Sequence, residues 1–179
     1  PFPFAQLKKF NLIPSLASVN STLANNETTK ALFETTKGKS LFTADTRVGY
    51  SGATATDITL VPVNYQKETD KIAFSGGEFS IDVDGKGSDM SLTGQIDSAL
   101  IDSVNEYGQR VQLTLNNLQT DGSSELTASE ERIGQQKLSL DKLAMSVEGK
   151  EMAVFEGTQL TAKTEMAEDK KHLNSAVDY

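Results

Sequence analysis

The stretch Leu138-Ser139-Leu140-Asp141-Lys142-Leu143-Ala144-Met145-Ser146-Val147 carries its apolar residues on even positions at first and on odd positions from Leu143 onward. A strand turns successive side chains to opposite faces, so an unbroken strand cannot keep all of them on one side. One extra residue near Asp141-Lys142, a bulge or a sharp bend, is expected there. The same phase break recurs along the chain. Ile58 and Leu60 give way at Val61-Pro62 to Val63 and Tyr65, and Ile72 and Phe74 give way at Gly76-Gly77 to Phe79 and Ile81. Proline and glycine both suit such an interruption.

Residues that face each other across an antiparallel hairpin lie equally far from its turn. Val61-Pro62 and Gly76-Gly77 are equally far from Thr69, inside the polar run Gln66 to Asp70. Asp141-Lys142 and Gly157-Thr158 are likewise centred on Gly149-Lys150. Bends at Pro62, Gly76, Gly77 and Gly157 are therefore expected to lie opposite other breaks and to crease the sheet along a line. The two hairpins also resemble each other: Ile58-x-Leu60-x-x-Val63 matches Leu138-x-Leu140-x-x-Leu143, and Phe74-x-Gly76-x-x-Phe79-x-Ile81 matches Phe155-x-Gly157-x-x-Leu160-x-Ala162. Leu113-x-Leu115-x-x-Leu118 reads as a third copy of the first half, which makes a weak internal repeat of a long, bent hairpin.

The remaining elements follow from local signals. Pro1-Phe2-Pro3-Phe4 is extended by its prolines, and Ala5 to Phe10 predicts one helical turn before Pro14. A first strand covers Leu16 to Leu23. Asn25-Asn26 cap a short helix over Glu27 to Lys37 that Gly38 ends. Phe42, Ala44, Thr46, Val48 and Tyr50 alternate with polar residues as a half-buried strand does. Asp84-Gly85-Lys86-Gly87 and Asn105-Glu106-Tyr107-Gly108 are turns that flank a long strand through Met90, Leu92, Gly94 and Ile96. Asp121-Gly122 is expected to close the next strand, and Ala128 to Arg132 to form a helical turn ending at Gly134. Met152 to Met166 and Leu173 to Tyr179 complete the meander. The fold class is thus mainly β: a long, bent antiparallel meander sheet with one or two short helices near the N-terminus. Residues 1–179 read as a single domain, a fragment of a longer chain.

Composition excludes more than it identifies. A net charge of -8 with no Lys/Arg cluster repels phosphate backbones, so no nucleic-acid partner is expected. The absence of cysteine excludes disulfides, thiolate metal sites and a Cys nucleophile. No apolar run reaches about 18 residues, so direct membrane insertion by this chain is not expected. His172, the sole histidine, follows Asp169-Lys170-Lys171 in a polar turn, which leaves no Ser-His-Asp triad or multi-histidine metal site. Asp82, Asp84 and Asp89 around Gly85 and Gly87 lack the donor set of a calcium loop and read as a hairpin turn. Glu130-Glu131 beside Arg132 is a solvated face, because adjacent carboxylates diverge. No catalytic residue, cofactor or metal is expected.

Several longer segments carry a resemblance. Pro1 to Ser15, Val48-Gly49-Tyr50-Ser51-Gly52, Ile72-Ala73-Phe74-Ser75-Gly76-Gly77-Glu78-Phe79, Asn105-Glu106-Tyr107 and Leu118-Gln119-Thr120-Asp121-Gly122-Ser123-Ser124 together resemble the YdgA-like family of enterobacterial envelope proteins of unknown function. The resemblance runs over essentially the whole chain. It implies a periplasmic location, an inner-membrane anchor upstream and a larger parent protein, and it supplies no catalytic residue.

Two functions follow as expectations. The first is a non-catalytic periplasmic structural and interaction domain that packs on itself, on the remainder of its chain or on a second copy as a homo-oligomer. The alternative is a groove in the bent sheet that holds lipid or another apolar ligand. Phe74, Phe79, Ile81, Leu138, Leu140 and Met145 form the candidate apolar face, and whether they are covered or open separates the two.

Overall fold

The computed structural model describes residues 15–167 and 172–179. The expected helical turn over Ala5 to Phe10, and the run Asp169-Lys170-Lys171, lie outside the described residues. The fold is mainly β. Eleven strands form one large antiparallel meander that does not close, with a single short helix among the described residues.

In chain order the elements are β1 (Ser15–Thr22), α1 (Lys30–Thr35), β2 (Phe42–Gly49), β3 (Thr54–Leu60), β4 (Val63–Lys67), β5 (Asp70–Phe74) and β6 (Gly77–Val83). Then come β7 (Met90–Val104), β8 (Arg110–Leu126), β9 (Arg132–Val147), β10 (Lys150–Met166) and β11 (Leu173–Asp178). At about 3.3 Å per residue, β7 to β10 are each roughly 50 Å long. The sheet order is β1-β2-β3-β6-β7-β8-β9-β10-β11, with β4 on β5 and β5 on β7.

The helix begins later than Glu27. Asn26 Oδ1 accepts from the backbone N–H groups of Thr28 and Thr29 at 3.0 and 3.1 Å, so it closes the turn before the helix. Gly38, at φ +82, then ends the helix with its N–H on the Phe33 carbonyl at 2.7 Å. α1 packs against β4, and the two buried apolar side chains among the described residues, Phe33 and Val63, belong to these two elements.

β3 and β4 behave as one strand interrupted at Val61-Pro62, and β5 and β6 as another interrupted at Ser75-Gly76. Leu60 faces Gly77 and Val63 faces Phe74, three residues further along each strand, so the register is kept across the gap. Val61 therefore stands opposite Gly76. The same level continues through the sheet: Gly76 opposite Asp97, Asp97 opposite Asn117, Asn117 opposite Asp141, and Asp141 opposite Gly157. A crease crosses six successive strands.

The extra residue expected near Asp141-Lys142 is absent. Leu140 pairs Thr158 and Lys142 pairs Glu156, in register on both sides. Alternation restarts because both strands break at one level, with no insertion on either. Gly76, Asn117 and Gly157 hold positive φ values of 89, 47 and 56, whereas Val61, Asp97 and Asp141 do not. The left-handed residues thus fall on alternate strands, all running in the same direction. Glycine and asparagine are the residues that enter this region most readily.

Two further expectations are corrected. Asp121-Gly122 does not end a strand; β8 runs on to Leu126, because Leu92 and Gln136 pair Gly122 from either side. Ala128 to Arg132 makes no helical turn. Thr127 to Glu131 is a tight connection in which the Thr127 N–H reaches the Glu131 carbonyl at 2.8 Å, and β9 starts at Arg132.

Candidate functional site

The crease divides the sheet into two halves whose apolar rows are offset by one residue. On the side of β1, β2, β3 and β6, Ile58 pairs Phe79, Phe79 pairs Gly94, Gly94 pairs Thr120, Thr120 pairs Leu138, and Leu138 pairs Leu160. Directly paired residues share a face, so this is one apolar row. A second row holds Ile81, Leu92 and Ala162. The opposite face of the same half is polar: Arg47 Nη2 donates to Asp57 Oδ2 at 2.7 Å, Ser80 Oγ to Asp57 Oδ1 at 2.8 Å, and Asn20 Nδ2 to Asp45 Oδ1 at 2.8 Å.

Across the crease, Val63, Phe74, Ala99, Leu115, Leu143 and Phe155 form one row by successive pairing. The adjoining row on that face is Tyr65, Ile72, Ile101, Leu113, Met145 and Ala153. Helix α1 shields the Val63 end. Away from it the rows are open: Phe155 is 55% exposed, Ile101 45% and Met145 39%.

The structure places the six candidate face residues on both sides of the crease. Phe79, Ile81, Leu138 and Leu140 share one half and one face, while Phe74 and Met145 lie in adjoining rows of the other half. None is fully buried, and all except Met145 are half-buried. Phe79 has a specific seat. A Cβ on Gly94 would collide with its ring, so the ring lies over the bare glycine backbone of β7.

The crease residues are equally definite. Gly76 is buried, and a Cβ there would meet the Leu60 carbonyl oxygen at 2.7 Å and Pro62 Cδ at 3.2 Å. Gly77, expected at the bend, lies off the crease instead, as the first residue of β6 paired with Leu60; a Cβ there would meet the Gln95 carbonyl and Ile96 Cγ1, both at 2.9 Å. Gly157 has nothing within 4 Å of such a Cβ, so its conformation alone selects glycine. Asn117 is a crease residue that the sequence reading missed. Its signal is the spacing Leu115-x-Asn117, in line with Phe74-x-Gly76 and Phe155-x-Gly157. The copy at Leu113 to Leu118 therefore belongs with the Phe74 and Phe155 segments, not with the Ile58 and Leu138 segments that run the other way.

A cavity of about 1150 Å³ opens at the end of the strands remote from the crease. Its lining reaches from Arg47 and Tyr50 near β2, through Val83, Met90 and Ile133, to Thr164 on β10, so the sheet curls at this end. None of the six candidate face residues lines it.

Several charged groups are engaged in local structure. Asp102, 5% exposed, accepts from Arg110 Nε at 2.9 Å, Arg110 Nη2 at 2.6 Å and Gln112 Nε2 at 2.9 Å. The Arg110 guanidinium, and then Gln112, hold the Asp102 carboxyl down at about 2. The Arg110 N–H is in turn held by Glu148 Oε1. Asp84 takes the Asp89 N–H at 3.0 Å and the Ser88 N–H and hydroxyl at 2.6 and 2.8 Å, which lowers its pKa and ties the turn. Glu130 sits in the Thr127–Glu131 connection at φ +64, and His172 is exposed at the start of β11, its carbonyl accepting from the Ala167 N–H at 2.9 Å. Among the described residues, no group of three or more His, Cys, Asp or Glu side chains is placed to hold a metal ion.

The family model for bacterial proteins of unknown function DUF945 matches residues 1–179. The chain belongs to the DUF945 family. It is 54% identical over its whole length to Protein YdgA of Escherichia coli (strain K12), and 24% identical to Uncharacterized protein YihF of the same organism. It spans 36% of the length of each. No solved structure matches it. The family carries no known activity, so the open sheet face remains the feature on which a functional reading rests.

Proposed function

We propose that this chain is a non-catalytic structural and interaction domain of a longer periplasmic protein held by an inner-membrane anchor, and that the bare apolar face beyond the crease is its assembly surface. One observation carries the reading. A sheet of eleven strands buries only Phe33 and Val63 among the apolar side chains of the described residues. A sheet that hides one apolar face normally does so under a second layer. Here α1 covers one corner, and the rows of Ile101, Leu113, Met145 and Phe155 await cover. The relatives' greater length supports cover by the parent polypeptide. The location and anchor rest on the resemblance to envelope proteins, and the non-catalytic part rests on the sequence, whose single histidine and lack of cysteine offer no Ser-His-Asp triad, histidine pair or Cys nucleophile.

Hydroxyl-radical footprinting of the full-length protein tests the face. Met145 and Phe155 are expected to be protected well below solvent-exposed Met and Phe standards. Oxidation at the standards' rate would overturn the reading. For location, Lys86→Cys introduces a thiol into a cysteine-free segment. Labelling by a membrane-impermeant maleimide in cells with a permeabilised outer membrane is expected, and labelling only after lysis of the inner membrane would refute it.

The cavity near β2 and β10 favours a second reading, in which the curled end takes an apolar ligand such as a lipid chain. Native mass spectrometry of the full-length protein, released gently from the membrane, would detect co-purifying lipid. Loss of that mass on Met90→Glu would place it in this cavity, and protein free of lipid would remove the reading.

A further inference from the structure

The outer edge of β10 offers a second and more specific surface. β11 pairs β10 only from Thr161 to Met166, so among the described residues no strand lies against Lys150–Leu160 on the side away from β9. Beyond the register shift at Glu151/Ala153, Ala153 to Leu160 is strand that keeps its register with β9 on both sides of the crease at Gly157. Phe155 and Leu160 are exposed there, and no proline blocks the edge. Such an edge presents unpaired backbone donors and acceptors, which natural sheets cover or pair.

From this geometry we infer that a strand from the part of the parent polypeptide outside residues 1–179 adds to the Ala153–Leu160 edge of β10, in line with β11 and running in its direction. The inference deepens the assembly reading above by naming its occupant. The crease decides against a second copy of this chain. Every left-handed crease residue, Gly76, Asn117 or Gly157, faces neighbours that are not left-handed. A second β10 laid antiparallel with creases matched would set Gly157 against Gly157 and break that alternation. A strand in the direction of β3, β7 and β9 preserves it, as β4 extends β3 across the same line. The parent polypeptide also has the length for it, since this chain spans 36% of either relative. Tethering supplies the strand at high effective concentration.

Two measurements on the full-length protein test this. In hydrogen exchange, amides on an open edge strand alternate between protected and free, because every second N–H points away from β9. Slowing of all amides from Ala153 to Leu160 by at least about 100-fold is expected, and alternation would overturn the inference. Glu156→p-benzoylphenylalanine, on the face of β10 opposite the Phe155 row, then identifies the occupant by photo-crosslinking. The expected product has monomer mass and joins β10 to a peptide outside residues 1–179. A dimer-sized product, a crosslink within residues 1–179 or capture of a different protein would each overturn it. Amide exchange reads the edge and footprinting at Met145 reads the face, so either proposal can fail without the other.

Discussion

Asn117 Nδ2 on β8 donates to Asp141 Oδ2 on β9 at 3.1 Å, directly on the crease. Asn117 Oδ1 accepts in turn from Gln119 Nε2 at 3.0 Å. The side chain that tolerates φ +47 thus also ties the long strands β8 and β9 where their ladder is interrupted. Asn117→Ala is expected to cost about 1–2 kcal/mol from the left-handed backbone alone, plus the loss of the amide's partners. Asn117→Gly should lose only the latter. Urea unfolding midpoints of the two variants check this; equal losses would show that the backbone conformation is unimportant.

Gly76 and Gly157 share a level but not a setting. Gly157→Ala meets open space, so its cost should be the backbone term of about 1–2 kcal/mol. Gly157→Asn should be near neutral, as Asn117 occupies the equivalent place. Gly76→Ala also drives a methyl into the Leu60 carbonyl and Pro62, and is expected to lower the melting temperature clearly more than Gly157→Ala. The reverse order would discredit the packing described at Pro62.

The Phe79 ring over Gly94 is a matched pair. Gly94→Ala should displace the ring at a cost of about 1–3 kcal/mol, as overpacking does. In a Phe79→Ala background the same substitution should cost little, because the space is vacant. A double-mutant cycle in denaturant measures the coupling, and additivity would show that the ring does not rest there.

Acid sensitivity should centre on Asp102. Its carboxyl titrates at about 2 in the folded chain, against an ordinary value of 3.8. On acidification the unfolded chain takes the proton first. The stabilisation is therefore complete above about pH 4 and lost as pH falls toward 2. Urea midpoints at pH 6, 4 and 2.5 should fall less steeply for Asp102→Asn than for the parent. Arg110→Met leaves a buried carboxylate without its main partner, so at pH 7 it should destabilise more than Asp102→Asn.

Much of the sheet was legible because the alternation signal is strong where strands are half-buried, as from Phe42 to Val48 or from Leu138 to Met145. The breaks at Pro62, Gly76 and Gly157 were legible because proline and glycine mark them. Asp97 and Asn117 were not. The weakly apolar Ser98 and Ala99 hide the phase change after Ile96, and asparagine is as common in ordinary turns as in a left-handed strand residue. Asp121-Gly122 misled for a related reason. Its local turn preference is overridden by ladders on both sides, which supply hydrogen bonds that no single-strand reading can foresee. The candidate face was only half legible, since its rows depend on register across strands far apart in sequence.

The alternation of left-handed and ordinary residues along the crease gives the sheet a repeat of two strands. A whole hairpin can be inserted or deleted and every contact along the line keeps its type. Loss or gain of one strand would bring like against like and reverse the direction of everything beyond it. Length variation among proteins built this way should therefore come in even numbers of strands, and a tandem duplication of one hairpin is the smallest step by which such a sheet can grow.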